Sequence, residues 1–216
     1  MSLPIESDPF VAHRLEMVES QLQARGVRDQ GVLDAMLRVP RHEFVEERFR
    51  DQAYEDHPIP IGEDQTISQP YIVALMLEAL ELARGDRVLE VGTGSGYVTA
   101  LLAELTALVF SIERHAPLAT QARHVLAKLG YTNAEVIVGD GSQGLPDFAP
   151  FDAIIVSAAA ADVPGTLLSQ LAPAGRMIIP VGAAESQQLQ LIRMRNGQPL
   201  VTLREACRFV PLISSE

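Results

Sequence analysis

A glycine-rich turn is the part of this sequence whose residue types and spacing best suit the binding of a ligand. Residues 88–97 read Val-Leu-Glu-Val-Gly-Thr-Gly-Ser-Gly-Tyr, in which a predicted strand leads through glycines into a predicted helix. Glycines permit positive φ angles and close approach of a ligand to the backbone. Tyr97 stands where a dinucleotide fingerprint continues toward its third glycine, and no phosphate-binding Gly-Lys-Ser/Thr follows. A nicotinamide or ATP site is therefore disfavoured, and a tight strand-to-helix connection without a ligand remains the alternative.

Three acidic residues fall beside the ends of predicted strands. Glu90 comes just before the turn, Glu113 ends the second strand and Asp140 follows the third. Ligands of open parallel sheets bind at the carboxyl ends of the strands, so these carboxylates are expected near one site. Glu90 would repel a pyrophosphate, but it suits a ligand that carries an ammonium and a sulfonium, as S-adenosylmethionine does. Glu113 could accept both ribose hydroxyls, and Asp140 could bind the adenine amino group.

Each of these acids also has a second interpretation when it is taken singly. Glu113 could be a solvated partner of Arg114, and Asp140 could form a turn between two glycines. All three acids fall beside predicted strand ends, and this coincidence favours a shared ligand site over the separate interpretations. We predict that S-adenosylmethionine contacts the acids and the turn: Glu90, Gly92, Thr93, Gly94, Ser95, Gly96, Glu113, Asp140 and Gly141.

The elements that must position these residues alternate between strands and helices. Short apolar runs predict strands at 88–91, 107–112, 134–138, 153–156 and 177–181. Helices predicted at 97–104 and 117–129 separate the early strands, and this order predicts a parallel sheet covered on both faces. Asn196-Gly197 between two extended runs predicts an antiparallel hairpin at one sheet edge.

The first part of the chain is predicted to be helical. Helical patterns cover 9–25, 30–37 and 72–83, whereas 51–68 lacks periodicity and reads as an extended loop with a turn, a candidate lid. We expect one domain over residues 1–216, with a helical part over 1–84 and a doubly wound, mostly parallel seven-stranded sheet over 85–216. The order of the last two strands is left open.

The composition disfavours several classes of partner and site. The 17 Lys and Arg face 28 Asp and Glu, a net charge of −11, and no basic cluster suggests nucleic acid. Neither a signal-like amino terminus nor a membrane-spanning stretch is evident, and the lone Cys207 fits a reducing cytoplasm. The five histidines show no pairing at ligand spacing, so no metal is expected.

Further motifs resemble the protein-L-isoaspartate O-methyltransferase family. They are Val39-Pro40-Arg41-His42-Glu43-Phe44-Val45, Gln65-Thr66-Ile67-Ser68-Gln69-Pro70-Tyr71, the glycine turn, Gly139-Asp140-Gly141, Ala149-Pro150-Phe151-Asp152-Ala153-Ile154 and Arg208-Phe209-Val210-Pro211-Leu212. The glycine turn is generic to methyltransferases, whereas Gln-Thr-Ile-Ser-Gln-Pro and Phe-Val-Pro-Leu are more specific. The resemblance implies a Rossmann-like class I methyltransferase that uses S-adenosylmethionine. It further implies methylation of the α-carboxylate of L-isoaspartyl residues in damaged proteins or peptides, which initiates repair through a succinimide.

The resemblance also implies catalytic roles for Ser68, as the active-site serine, and Thr66, which lines the pocket for the isoaspartyl carboxylate. A carboxylate is already ionised at neutral pH, so methyl transfer needs orientation rather than a general base. Without the resemblance, Ser68 is interpreted as a helix N-cap ahead of Pro70, and this role is compatible with that of an active-site serine. Glu63-Asp64 stand where relatives commonly have a small residue, and their charge disfavours a nearby carboxylate unless Arg208 or backbone amides offset it.

Two other functions remain compatible with these residues. One is a methyltransferase that acts on ordinary aspartate in a specific peptide, and a peptide panel would distinguish it. The other is a non-catalytic module that binds S-adenosylmethionine, against which the intact Gln-Thr-Ile-Ser element argues. A serine hydrolase is disfavoured because no Gly-x-Ser-x-Gly occurs.

Overall fold

The computed structural model describes residues 8–183 and 185–214. The helices are α1 (Val11–Glu16), α2 (Gln30–Arg38), α3 (Pro70–Leu80), α4 (Tyr97–Leu105), α5 (Ala116–Lys128) and α6 (Gly165–Leu168). The strands are β1 (Ile59–Gly62), β2 (Gln65–Ile67), β3 (Arg87–Val91), β4 (Leu108–Glu113), β5 (Ala134–Val138), β6 (Phe151–Val156), β7 (Leu171–Ala183), β8 (Ser186–Arg195) and β9 (Gln198–Cys207). Within these described ranges, no helix has the length and apolar character that crossing a membrane requires.

Seven strands form the main sheet in the order β5-β4-β3-β6-β7-β8-β9. The pairs from β5 through to β7 are parallel, while β7–β8 and β8–β9 are antiparallel. Asn196 and Gly197 form the predicted hairpin turn with φ angles of 51° and 75°. The mostly parallel sheet and its antiparallel end are therefore confirmed, and the last two strands follow in chain order. The strand order changes direction between β3 and β6, which is where open α/β sheets bind ligands.

Apolar side chains cover both faces of the sheet. Along β3, Val88 packs into one core cluster and Leu89 into the other, because successive strand residues point to opposite faces. The first cluster continues from the sheet to Met17 and Leu77, which belong to the amino-terminal helical part. That part therefore packs directly on the face of the sheet that Val88 occupies.

The amino-terminal helices differ from their predicted bounds at two ends. The run predicted over 9–25 is α1 followed by a π-helical turn and a short 3₁₀ turn, and it ends at Gly26, whose φ is 105°. Helix α3 ends at Leu80, earlier than the predicted 83, because Glu81 is left-handed with φ 49°. Arg176 donates to the carbonyls of Leu80 and Glu81, and these bonds satisfy the helix end.

The segment 51–68, predicted as an extended loop with a turn, contains two paired strands. After a 3₁₀ turn that ends at Gln52, strands β1 and β2 form an antiparallel hairpin. Glu63 and Asp64 make its two-residue turn with positive φ angles of 51° and 56°. Buried Ile59 and Ile67 anchor the hairpin in the core. The predicted extended segment with a turn is thus a hairpin, whose strands are too short to show a period of two in the sequence.

Candidate active site

A cleft opens at the carboxyl ends of β3, β4 and β6. It encloses about 890 Å³, including the part that is open to solvent. Its walls include residues 65–68, residues 90–95 and the tail at 210–213, together with residues that follow β4, β5 and β6. The cleft therefore brings the glycine turn and the Gln-Thr-Ile-Ser element together.

The glycine turn places two of its glycines in different surroundings. Gly94 lies on the cleft wall with φ 53°, and its amide donates to Glu113 Oε2 over 2.9 Å. Gly96, with φ 88°, faces α5, where an added Cβ would lie 3.1 Å from Ala122 Cβ. Gly96 is not among the residues that line the cleft. The structure therefore shows a packing position for Gly96 against α5, and its contact with a ligand stays a prediction.

Glu113 lies on the cleft wall and is only 5% exposed. Its Oε2 accepts from the Gly94 amide and its Oε1 from the His115 amide, each over 2.9 Å. An ionised carboxylate has about four acceptor positions, so these two bonds fix the group and leave capacity for further donors. A ribose, which presents two hydroxyl donors, fits this remaining capacity.

Glu90 is fully buried beneath the turn, in a chain of hydroxyl groups. Its Oε2 accepts from Thr99 Oγ1 over 2.5 Å and from Ser111 Oγ over 2.6 Å. Thr93 Oγ1, in the turn itself, lies 2.5 Å from Ser111 Oγ. Burial raises the pKa of Glu90 to about 8, and its Oε1 has no hydrogen-bond partner within the described residues. Such an orphaned acceptor beside a cleft fits a cationic ligand, which would favour the ionised form.

Asp140 and Gly141 follow β5, as predicted, but only Gly141 lines the cleft. Asp140 Oδ1 accepts from the amide and the hydroxyl of Ser142, over 2.9 and 2.7 Å. Gly141 packs so closely that an added Cβ would lie 2.6 Å from Val91 Cγ1. The structure thus places Asp140 at the expected strand end, next to the cleft wall rather than on it.

Thr66 and Ser68 both line the cleft on the side formed by the hairpin. Thr66 is exposed, while Ser68 is half-buried. The N-cap of α3 is Gln69, without a side-chain capping bond, so the interpretation of Ser68 as the cap was wrong. The Ser68 carbonyl accepts from Arg41 Nη2 over 2.8 Å. The backbone of Ser68 is therefore fixed while its hydroxyl serves no helix cap.

The acidic hairpin turn contacts the opposite side of the cleft. Glu63 Oε2 lies 3.5 Å from Nδ1 of His115, which is at the start of α5. Arg208, the residue suggested to offset this charge, is exposed and is not among the residues that line the cleft. His115 is therefore the basic side chain nearest to this acid, and sequence reasoning did not single it out.

Several residues at the cleft were absent from the predicted set. Ser157 directly follows β6, so the strand-end rule that pointed to Glu113 would also have found it. The tail at 210–213 enters the cleft because the Gln187 side chain accepts from the Phe209 amide and donates to its carbonyl, over 2.6 and 3.0 Å. No spacing in the sequence signals that contact.

Comparisons with known proteins point to one family. A family model described as protein-L-isoaspartate(D-aspartate) O-methyltransferase matches residues 13–216. The protein-L-isoaspartate O-methyltransferase of Koribacter versatilis is 56% identical over 207 residues, which are 96% of this chain and 93% of the relative.

Two solved structures share the fold over most of the chain. One, described as a protein-L-isoaspartate O-methyltransferase, has a TM-score of 0.83 and 31% identity, and the match covers 92% of this chain and 65% of that longer one. A Plasmodium falciparum structure, described as this methyltransferase in complex with S-adenosyl-L-homocysteine, has a TM-score of 0.83 and 30% identity, with coverage of 94% and 99%. The chain belongs to the protein-L-isoaspartate(D-aspartate) O-methyltransferase family.

Proposed function

We propose that this enzyme methylates the α-carboxylate of L-isoaspartyl residues in damaged proteins and peptides, with S-adenosylmethionine as the methyl donor. One observation carries the proposal. A single cleft is lined by Thr66 and Ser68 on one side and by the glycine turn and Glu113 on the other. The product ester is labile and closes to a succinimide, whose hydrolysis restores some normal aspartate, so the reaction initiates repair.

The cofactor side of the cleft consists of the glycine turn with Glu90 and Glu113. When bound, S-adenosylmethionine supplies an electrophilic methyl group on a sulfonium. Glu113, already fixed by two backbone amides, has acceptor capacity for ribose hydroxyls. Glu90 supports the turn from below through Ser111 and Thr93, and its ionised form favours a cation in the cleft.

The acceptor side has to orient a carboxylate rather than deprotonate it. A carboxylate is ionised at neutral pH, so no general base is required. We assign Ser68 and Thr66 to hold one carboxylate oxygen, which leaves the other free to attack the methyl carbon in line with the departing sulfur. Orientation of this kind is worth roughly 7 to 11 kcal/mol of a bimolecular barrier. Hydroxyls suit the task because a cation clamped on the attacking oxygen would weaken it as a nucleophile.

Residues of the hairpin and of the tail both line the cleft. Opposite charges cancel as the methyl group moves, so a water-poor site favours the transition state over separated ions. The turn of the hairpin reaches His115 and the tail lines the same cleft, so both segments can cover a bound peptide.

The deciding experiment follows radiolabelled methyl transfer to matched peptides that differ at one residue, L-isoaspartate or aspartate. We expect transfer to the isoaspartyl peptide and little to the aspartyl one. Preference for aspartate would instead favour the enzyme that modifies ordinary aspartate in a specific peptide. Binding of S-adenosylhomocysteine without transfer to either peptide would favour the non-catalytic module.

We also infer that the enzyme works in the cytoplasm on peptides and proteins, without nucleic acid. The lone Cys207 and the net charge of −11 support these inferences. Fractionation of cells that express the tagged full chain tests the location, and recovery outside the cytoplasmic fraction would contradict it.

A further inference from the structure

The side chain of Arg41 lies beneath the segment that carries Thr66 and Ser68, and it is fully buried. Its Nε donates to the carbonyl of Ala53 over 2.7 Å and its Nη2 to the carbonyl of Ser68 over 2.8 Å. Ala53 precedes the hairpin and Ser68 follows it. One guanidinium therefore joins both ends of the segment that forms the acceptor side of the cleft.

The charge of this guanidinium has no carboxylate partner. Within residues 8–183 and 185–214, Arg41 forms no ion pair, and its Nη1 has no hydrogen-bond acceptor. Burial lowers the pKa of Arg41 from its ordinary value, although an arginine stays protonated in proteins. Asp56, a carboxylate whose charge favours the protonated form of Arg41, is already engaged by Arg25 and by the amide of Tyr71. Buried charges are normally paired, so this one requires an explanation.

The ring of Tyr97 covers one face of the guanidinium, at 4.8 Å from the ring centroid. This contact and the two hydrogen bonds to carbonyls explain how the guanidinium is held in place, but none of them supplies a negative charge. A neutral side chain of similar length could fill the same space without the cost of burying a cation. The retained charge therefore points to an anion that is present only when substrate is bound.

We propose that Arg41 is a positioning residue that fixes the Ser68 backbone and supplies an uncompensated positive field for the substrate carboxylate. The inference rests on the proposed function, in which Ser68 contacts that carboxylate. Arg41 acts through the Ser68 carbonyl and does not touch the attacking oxygen. The carboxylate is thus attracted to the acceptor side without the loss of nucleophilicity that a direct cation would cause.

The test separates the effect of the positive charge of Arg41 from the effect of its size and hydrogen bonds. Binding of two labelled peptides to enzyme saturated with S-adenosylhomocysteine is measured, one with an isoaspartyl α-carboxylate and one with the α-carboxamide in its place. The variants are Arg41→Met, Arg41→Lys and, as a matched control, Arg87→Met. Arg87 also stacks on an aromatic ring, 4.8 Å from the Phe110 centroid, but it lies at the start of β3, away from the cleft.

Arg41→Met should weaken binding of the carboxylate peptide by roughly tenfold relative to the carboxamide, since only the former interacts with the lost charge. Arg41→Lys should restore this preference but lower kcat, because an ammonium does not reproduce the guanidinium fork. Arg87→Met should keep the wild-type preference. An equal loss for both peptides would show a purely structural role and overturn the inference.

Two further outcomes keep the proposal open to refutation. If Arg41→Met no longer binds S-adenosylhomocysteine because it fails to fold, Arg41→Lys decides alone, and an unchanged kcat in that variant overturns the positioning role. Failure of the proposed function is seen separately, since wild-type enzyme would then transfer no methyl group to the isoaspartyl peptide.

Discussion

Glu90 is a carboxyl group whose ionisation opposes folding. The folded protein holds its proton up to a pKa of about 8, whereas the unfolded chain releases it near the ordinary 4.5. The folded state therefore binds more protons between these values, and stability falls as pH rises through this window. We expect a loss of at least about 2 kcal/mol between pH 5 and pH 8, which Glu90→Gln, a neutral mimic, should largely remove.

Urea unfolding of wild type and Glu90→Gln across that pH range measures the difference directly. Subtracting one pH profile from the other removes the contributions of other titrating groups. His42 is one of them, because burial lowers its pKa. Parallel pH profiles for the two proteins would show that Glu90 is ionised throughout this range. That result would contradict the prediction that the folded protein holds its proton.

Glu113 is expected to contribute to cofactor affinity through hydrogen bonds alone. Glu113→Ala should weaken binding of S-adenosylhomocysteine by about 1 to 3 kcal/mol, because the ribose hydroxyls lose their acceptor and the Gly94 amide loses its partner. Calorimetric titration gives the value. Asp152→Ala is the matched control, since that carboxylate also accepts from a backbone amide, at Arg87, but away from the cleft. An equal effect of both changes would indicate general destabilisation.

Ser68 is assigned to the acceptor side, so its removal should separate catalysis from cofactor binding. Ser68→Ala should lower kcat/KM for an isoaspartyl peptide on the order of 10- to 100-fold, the equivalent of one hydrogen bond to a charged group. Affinity for S-adenosylhomocysteine should stay near wild type. The exposed Ser20, whose hydroxyl donates to the Glu16 carbonyl one turn earlier, provides a Ser→Ala control. Unchanged turnover would remove Ser68 from the mechanism.

How far the site could be predicted depends on which residues lie at strand ends. Glu90 and Glu113 were predicted to lie at the site because the carboxyl ends of parallel strands meet at one edge of the sheet. The apolar runs in the sequence were enough to locate those strands. Asp140 obeys the same rule, but its local bonds to Ser142 decide where its carboxylate lies. Arg41 was predicted only as part of a motif. Its bond to Ser68 joins segments 27 residues apart, a contact set by packing rather than by spacing.

At the scale of elements, the β1–β2 hairpin combines a demanding turn with an unfavourable charge. Glu63 and Asp64 both adopt positive φ angles, which Asn and Gly adopt more readily in such two-residue turns. The double change Glu63→Asn with Asp64→Gly should therefore keep the hairpin. It should also lower KM for isoaspartyl peptides about two- to fivefold at low salt, because two negative charges leave the acceptor side.

Kinetics at low and at physiological ionic strength test this prediction. The decrease in KM caused by the double change should become smaller as salt screens the charges, since the Debye length falls to about 8 Å at 0.15 M. A control removes two exposed acids that lie outside both the hairpin and the cleft, with Glu47→Gln and Glu135→Gln. If that pair lowers KM equally, the effect belongs to net charge and not to the hairpin.

Most elements with a clear period were predicted to within a few residues, although β7 begins at 171 and not at the predicted 177, and elements without a period were not predicted. The strand at 134–138 has the predicted bounds, and the hairpin at Asn196-Gly197 was specified by its turn residues. Strands β1 and β2 have only four and three residues, too few to establish alternation. The end of α3 was misplaced because the contacts of Arg176, nearly a hundred residues later in the chain, decide it.

At the scale of the whole molecule, the helical part and the sheet share one core. Met17, Leu33 and Leu77 from the first part pack in the same cluster as Leu101 and Ile178 from the second. Residues 65–68, the proposed acceptor side of the cleft, belong to the first part, and the glycine turn and Glu113, the proposed cofactor side, belong to the second. A common core therefore holds the two halves of the site in one geometry, which is what in-line transfer requires.

We therefore predict that the chain unfolds as one cooperative unit. Because separating the parts would expose apolar surface from Leu33 and Leu101 at once, no intermediate with only one part folded should be populated. Scanning calorimetry should give a single transition with equal calorimetric and van't Hoff enthalpies. S-adenosylhomocysteine at about 100 times its Kd should stabilise that whole transition by about 2.7 kcal/mol. Two transitions, of which the ligand shifts only one, would show that residues 1–84 and 85–216 are separate domains.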